Sequence, residues 1–295
     1  MNRRDFLKKA ALAGVGSAGL LHCLGGLTAA AAPEPGKAEL IVTRGGEPEV
    51  LLDAALKAFG GLGRVVVPGG DVVIKANFTW YGPPEQACNT NPELLAALTK
   101  ACLQAGAARV KVVDMTIDPA AMTMEISGIR QAVQAAGGEI YDLRKKQVTV
   151  VNDTVLGRIG IYREALEAAC LINVPILKHH GGAGMSGALK GLMGLTPDRK
   201  KPHVVGIDRG IVALAGIIRP HLQIIDAYRA LKTRGPQGPG KVVTLKHLII
   251  TTDPVAGDAY GASLLGFNPP YIAMAGKAGL GCSDLGRLKI SIVDV

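Results

Sequence analysis

The sequence contains few aromatic residues and a single tryptophan, Trp80, within its 295 residues. Proteins that bind single-stranded nucleic acid without sequence preference stack the bases on exposed aromatic side chains. The formal charge of +9 therefore does not indicate a nucleic-acid-binding protein, and we expect no nucleic-acid partner. A basic surface, or a basic pocket for an acidic small molecule, agrees better with this charge.

Clustered cysteines are also absent, since the five cysteines form no C-x-x-C pattern of the kind that binds metals or iron–sulfur clusters. Cys102 and Cys170 lie in apolar stretches and are predicted to belong to the core. Cys88 and Cys282 lie in loop-like sequence. A disulfide between them stays open at this stage, because sequence alone does not pair cysteines.

The N-terminus has the pattern of an export signal. Paired arginines, Arg3 and Arg4, precede a short, glycine-rich apolar stretch that ends in alanines before Pro33. This order predicts a twin-arginine signal peptide over residues 1–31, with export to the periplasm or an equivalent compartment. An N-terminal membrane anchor is the alternative, although the stretch is short for a spanning helix. Cleavage would remove four basic residues and one acidic residue, which lowers the formal charge from +9 to +6. We expect no stable membrane insertion of the mature protein.

Apolar stretches alternate with helical patterns along the rest of the chain. Near-continuous apolar strands between helices predict an α/β fold with a mostly parallel sheet flanked by helices. We expect a single mature domain over residues 38–295, either undivided or in two lobes. The predicted strands are 38–44, 71–78, 108–114, 139–143, 170–176, 221–227, 242–252 and 288–295.

Polar residues stand at the ends of several predicted strands, where ligands bind in parallel sheets. They are Lys75, Asn77, Asp114, Lys178, His179, His180, Asp226 and Asp253. Five more basic residues follow the central strand closely, and they are Lys190, Arg199, Lys200, Lys201 and His203.

A glycine-rich segment follows the central strand and contains Gly182, Gly184 and Gly187. Its spacing matches a dinucleotide fingerprint, but Pro175 interrupts the preceding strand and two histidines intervene. A tight turn is the plain structural alternative. We favour an anion site, in which backbone N–H groups at a helix start and the flanking Lys178 and Lys190 bind phosphate or carboxylate.

The remaining candidates are acid–base groups. Asp226 at a strand end and His180 are the candidate catalytic residues. His179 and His180 are adjacent on a strand and should point to opposite faces, so they are not expected to share a metal. Asp253 precedes a proline and is predicted to cap a helix. Asp258 is expected to face solvent from within that helix.

Five segments in this order resemble the DUF362 family, a domain of unknown function. They are VVIKANF, NTNPELLAAL, LINVPILKHH with SGALKGLMG, RPHLQIIDA and DPVAGDAYGASLLG, and the resemblance spans about residues 40 to 283. Some relatives carry a ferredoxin-like iron–sulfur module, but this sequence has no cysteine run of that kind. The resemblance maps the family's recurrent polar positions onto Lys75, Asn77, Asn91, Lys178, His180, Lys190, Asp226, Asp253 and Asp258.

Two functions remain open from the sequence. One is an exported protein that binds an anionic small molecule or cofactor through Lys75, Asn77, Lys178, Lys190 and the glycine-rich backbone, with or without catalysis. The other is a non-catalytic periplasmic binding or accessory protein that serves a redox partner protein. The sequence identifies neither a cofactor nor a reaction.

Overall fold

The computed structural model describes residues 39–295, so the signal peptide predicted over residues 1–31 lies outside the described residues. The described chain contains twelve strands. They are β1 Glu39–Arg44, β2 Asp71–Lys75, β3 Arg109–Asp114, β4 Glu139–Asp142, β5 Val148–Asp153, β6 Gly157–Tyr162, β7 Cys170–Asn173, β8 Ile176–His180, β9 Gly184–Ser186, β10 Leu222–Leu231, β11 Val242–Thr251 and β12 Lys289–Asp294.

Ten α-helices connect these strands within the same part of the chain. They are α1 Pro48–Phe59, α2 Pro92–Gln104, α3 Ala120–Ile126, α4 Ile129–Ala135, α5 Arg163–Leu166, α6 Ala188–Gly191, α7 Lys200–Val204, α8 Ile207–Ile217, α9 Pro254–Leu265 and α10 Pro270–Lys277. None of these helices is long and apolar enough to cross a membrane.

The main sheet has the order β12-β1-β11-β10-β7-β2-β3-β4, with β8 paired to β10 and β9 paired to β8. The run from β10 through β7, β2 and β3 to β4 is parallel, whereas β11 is antiparallel to both of its neighbours. Strands β5 and β6 form a separate antiparallel pair. The predicted class, a mostly parallel α/β sheet flanked by helices, is confirmed.

Helices cover both faces of this sheet. Alternate residues of β1 belong to different hydrophobic clusters, because successive side chains of a strand point to opposite faces. Leu40 and Val42 pack in one cluster and Ile41 in the other. The first cluster includes residues of α6, α8, α9 and α10, and the second includes residues of α1, α2 and α4.

The predicted strand 170–176 is divided into two strands at Val174 and Pro175. The Val174 N–H donates to the Lys75 carbonyl (2.7 Å), while the Pro175 carbonyl accepts from Asp226 N–H (2.9 Å). A proline has no N–H to donate to a sheet. The chain therefore passes from β7 to β8 here, and β10 pairs first with β7 and then with β8.

Helix starts follow the sequence signals closely. The Asn91 side chain accepts a hydrogen bond from Glu93 N–H at the start of α2, and Pro92 occupies the first turn. The Asp253 side chain caps α9 by accepting from Val255 N–H and Ala256 N–H, both at 2.9 Å. Both residues satisfy N–H groups that a helix leaves without partners. The predicted capping role of Asp253 is therefore confirmed.

Candidate functional site

A cavity of about 120 Å³ lies beyond the carboxyl ends of β2 and β3, where it also contacts β8. Polar side chains from these strands meet there with the segment that follows β9. The lining includes Asn77, Thr79, Trp80, Asp114, Ile117, Lys178, His180, Ser186, Gly187, Lys190, Met193, Gly194, Arg199, His203 and Pro236. Ligand sites of parallel sheets lie in this position because strand ends and loops converge there.

Lys75 and Asp114 form a buried ion pair at the base of this region. The Lys75 Nζ atom is 2.9 Å from Asp114 Oδ1, and each side chain is only 1% exposed. The other carboxylate oxygen accepts from Phe78 N–H (3.0 Å) and the Thr79 hydroxyl (2.8 Å). A Cβ on Gly194 would lie 2.3 Å from Asp114 Oδ1. The pair is therefore tightly enclosed, and Lys75 itself does not line the cavity.

Lys178 is equally buried, but it has no carboxylate partner among residues 39–295. Its amine donates to Asn77 Oδ1 (2.9 Å) and to the Cys88 carbonyl. Burial is the main cause that lowers the pKa of Lys178 to about 7, and the Lys190 charge adds to the effect. Burial disfavours the charged form of an amine. Near neutral pH, the protonated and neutral forms of Lys178 are therefore close in free energy.

Two further cations line the cavity from the segment after β9. Burial lowers the pKa of Lys190 to about 8, and it also lowers the pKa of Arg199. Lys190 is half-buried, and no hydrogen bond or ion pair within residues 39–295 involves its amine, while the buried Arg199 Nε has no acceptor there. Buried polar groups normally have partners. The cavity therefore contains cationic groups that the described chain leaves unneutralised.

The two adjacent histidines serve different surroundings. His180 lines the cavity, and its Nδ1 accepts from Gly182 N–H (3.2 Å) and Ala183 N–H (3.1 Å). Its proton therefore sits on Nε2. Burial and then the Lys190 charge lower its pKa to about 3, so the ring is neutral at physiological pH. His179 instead packs against Phe267, and its Nδ1 accepts from Gly235 N–H.

The glycine-rich segment forms a β-hairpin between β8 and β9, and it does not form the predicted nest for an external anion. The N–H groups of Ala188 and Leu189 at the start of α6 donate to the carboxylate of Asp258 (2.5 and 3.0 Å). A helix start attracts anions through such groups, and here an internal carboxylate already occupies it. Gly182 and Gly184 do not line the cavity, whereas Gly187 does.

Asp258 differs from its predicted exposed position. The residue is fully buried in α9, and burial raises its pKa to about 7. A Cβ on Gly187 would lie 2.2 Å from Asp258 Oδ1. Only glycine at this position lets the carboxylate approach the start of α6, which explains why the third glycine of the motif stands there.

Asp226, a predicted catalytic residue, does not line the cavity. Its carboxylate accepts from Asn91 N–H (2.8 Å) and Tyr228 N–H (3.1 Å), which ties the start of α2 to β10. Burial raises its pKa to about 6. This geometry gives Asp226 a supporting position between the start of α2 and β10, outside the cavity lining.

Arg199 and Asp114 belong to the cavity but were not among the predicted binding residues. Arg199 stood out in the sequence only as part of the basic segment PDRKKPH. Asp114 was noted at a strand end, but its partner Lys75 is 39 residues away in sequence, and no local pattern indicates their pairing. The structure places Asn77, Lys178, His180, Gly187 and Lys190 together around the cavity, as the sequence predicts.

The cysteines of residues 39–295 are all free thiols. Cys102 and Cys170 are buried, which confirms their predicted place in the core, and Cys88 is buried as well. Cys88 and Cys282 do not form the disulfide that the sequence left open. Within the same residues, no group of three or more His, Cys, Asp or Glu side chains is arranged to hold a metal ion.

The model of the DUF362 family, described as a domain of unknown function, matches residues 72–263. The chain belongs to this family. The match includes all of the cavity lining, from Asn77 to Pro236. A thylakoid-associated protein of Synechocystis is 29% identical to this DUF362 protein over 240 residues, which cover 78% of this chain and 74% of the relative.

Two solved structures share weaker similarity with this DUF362 protein. The lactate racemase apoprotein of Thermoanaerobacterium thermosaccharolyticum matches 76% of the chain with a TM-score of 0.47 and 15% identity. A protein from Thermotoga maritima matches 78% with a TM-score of 0.42 and 8% identity. The chain spans only 56% and 59% of the lengths of these two proteins.

Proposed function

We propose that this DUF362 protein binds a small anionic molecule in the cavity beyond β2, β3 and β8. The observation that carries the proposal is that Lys178, Lys190 and Arg199 line one cavity and have no carboxylate partner within residues 39–295. A phosphate or carboxylate group that enters the cavity would supply the missing negative charge.

Buried charge in the cavity is costly while no anion is bound. An ionised group removed from water is strongly destabilising unless it is paired and hydrogen-bonded. The lowered pKa values of Lys178 and Lys190 express this cost. An anion would offset it by favouring the protonated amines, and the planar guanidinium of Arg199 suits bidentate contact with phosphate or carboxylate.

The cavity volume limits what is enclosed. Pockets for drug-sized ligands measure roughly 300–1,000 Å³, whereas this cavity measures about 120 Å³. The cavity therefore has room for one phosphate or carboxylate group of a ligand and for few additional atoms. The neutral His180, with its proton on Nε2, supplies an additional hydrogen-bond donor to the lining.

Acid–base catalysis on the bound anion is a second candidate function. It is favoured by the pKa of about 7 at Lys178, because the protonated amine could act as a general acid, and a general acid works best when its pKa lies near the operating pH. We assign this role to Lys178 and no longer to Asp226, since Asp226 lies outside the cavity lining.

Calorimetric titration with inorganic phosphate at pH 6.5 and low ionic strength tests the binding function. We expect saturable binding at one site, with Lys190→Ala and Arg199→Ala each weakening it by at least about tenfold, or about 1.4 kcal/mol. Lys200→Ala is the matched control, because Lys200 lies in the same basic segment but is exposed and outside the cavity.

The control variant should bind phosphate as the wild-type protein does. If neither phosphate nor acetate binds, the anion site is refuted. If all three alanine variants weaken binding equally, the affinity comes from the general positive charge of the protein, and the cavity is not its source.

A further inference from the structure

Two apolar side chains line the cationic cavity from the loops after β2 and β3. Ile117, after β3, lines the cavity and remains 54% exposed, and Trp80, after β2, lines it beside the polar residues. Tyr81, next to Trp80 in the chain, is 44% exposed. The cavity thus combines cationic groups with apolar surface from Trp80 and Ile117, here called the rim, and Ile117 remains open to solvent within residues 39–295.

Hydrogen bonds between the two loops hold this rim in place. The N–H groups of Ile117 and Asp118 both donate to the Thr79 carbonyl (3.1 and 3.3 Å). In return, Tyr81 N–H donates to Asp118 Oδ2 (3.0 Å). The loop after β2 and the loop after β3 are therefore joined at Thr79 and again at Tyr81.

A second set of contacts fixes the backbone at Trp80. The Asn89 side-chain amide donates to the Trp80 carbonyl (2.6 Å) and accepts from Trp80 N–H (3.4 Å). Thr79 in turn donates to Asp114, which belongs to the buried ion pair. The backbone of the rim is therefore tied to the buried ion pair at the base of the cavity.

We propose that the ligand is an amphiphilic anion, with one phosphate or carboxylate group in the cavity and an apolar substituent that leaves it across Trp80 and Ile117. This inference rests on the proposed anion-binding function. A free inorganic anion would leave the rim exposed to water, whereas an apolar substituent would cover it. Apolar walls that end in a few convergent polar groups are typical of small-molecule sites.

The test compares two probes that share one headgroup, methyl phosphate and butyl phosphate. The additional methylene groups of butyl phosphate would move out of water and pack against Trp80 and Ile117. This transfer is favourable in proportion to the apolar area that it covers. We expect butyl phosphate to bind the wild-type protein roughly tenfold more tightly than methyl phosphate, or better, as measured by calorimetry at one pH.

Two serine variants locate the apolar contact. Ile117→Ser should reduce the preference for butyl phosphate to less than about threefold, measured as the ratio of the two affinities within the same variant. Met122→Ser is the matched control, since Met122 is also exposed (47%) but lies outside the cavity lining. This control should keep the full preference. Both positions are exposed in the folded protein, so both variants are expected to fold.

Each result decides the matter. If wild-type protein binds the two probes equally, the amphiphilic ligand is refuted while the anion site stands. If neither probe binds, the proposed function itself fails. If butyl phosphate is preferred but Ile117→Ser keeps that preference, the apolar substituent does not cross this rim, and the inference is overturned.

Discussion

Lys75 and Lys178 are two lysines of one sheet, each 1% exposed, with very different surroundings. The Lys75 amine lies 2.9 Å from the carboxylate of Asp114, and Gly194 encloses the pair. In the part of the chain that the structure describes, the Lys178 amine contacts only neutral oxygens, from Asn77 and Cys88. Both amines lie beside the cavity region, but residues 39–295 provide a neutralising carboxylate to Lys75 alone.

The difference indicates two roles for buried positive charge. A buried charge with a close carboxylate and further hydrogen bonds contributes to a fixed structure, and removing one partner is costly. A buried charge without a carboxylate is costly while the site is empty and becomes favourable when an anion arrives. We infer that Lys75 has a structural role at the strand ends and that Lys178 binds an anionic ligand.

The largest effect should come from removing the carboxylate of the buried Lys75–Asp114 pair. Asp114→Asn leaves the Lys75 charge buried without a carboxylate, so we expect the free energy of unfolding to fall by about 3–5 kcal/mol. Urea denaturation measures it. The control is Asp294→Asn, which breaks the exposed Arg44–Asp294 pair and should leave the midpoint close to that of the wild-type protein. An unchanged midpoint for Asp114→Asn would refute the structural role of the pair.

A second contrast concerns two glycines that the sequence placed in one anion site. Gly187→Ala puts a Cβ 2.2 Å from Asp258 Oδ1, whereas the nearest atom to a Cβ on Gly182 is 3.7 Å away. We expect Gly187→Ala to lower the free energy of unfolding by about 1–3 kcal/mol, as overpacking does. Gly182→Ala should have almost no effect on the same urea curves. Equal effects would mean that Asp258 does not depend on Gly187.

Removing Lys178 should lower the free energy of unfolding less than Asp114→Asn does, but it should weaken anion binding. Lys178→Met removes a costly buried charge but leaves two acceptors unsatisfied, so we expect a loss of only about 1–2 kcal/mol in unfolding free energy. Phosphate affinity should fall by at least about tenfold. Calorimetry and urea denaturation on the same preparation measure both quantities. A loss of stability as large as that of Asp114→Asn, with binding intact, would reverse the roles given to the two lysines.

The smallest expected effect is a dependence of anion affinity on pH. The pKa values of about 7 for Lys178 and about 8 for Lys190 mean that both amines lose their protons as the pH rises through this range. Affinity for sulfate, whose own charge is constant there, should fall stepwise between about pH 6 and pH 9. Lys178→Met should lack the lower step. Affinity that is constant over this range would show that neither amine contributes.

The sequence predicted the parts of this molecule that depend on local pattern. Strand periodicity located β1, β3, β10 and β11, and the Asp253-Pro254 pair located the start of α9. Polar residues at strand ends identified Asn77 and Lys178 as neighbours in one site.

The parts that failed depend on contacts between distant segments. The start of α6 looked open to an external anion, but Asp258, 70 residues further along the chain, occupies it. Asp226 stood at a strand end like the true cavity residues, yet its carboxylate faces the start of α2. No local pattern distinguishes a carboxylate that reaches an internal donor from one that reaches a ligand.

The most direct test of the unpaired cation follows the titration of Lys178 itself. Nuclear magnetic resonance of protein labelled with ¹³C at the lysine ε-carbon, with Lys178→Met to assign the signal, gives its pKa with and without sulfate. We predict a pKa of about 7 for the free protein, which rises when sulfate binds, because an anion nearby favours the charged amine. A pKa that stays the same at saturating sulfate would contradict the account, since the anion would then bind elsewhere or not at all.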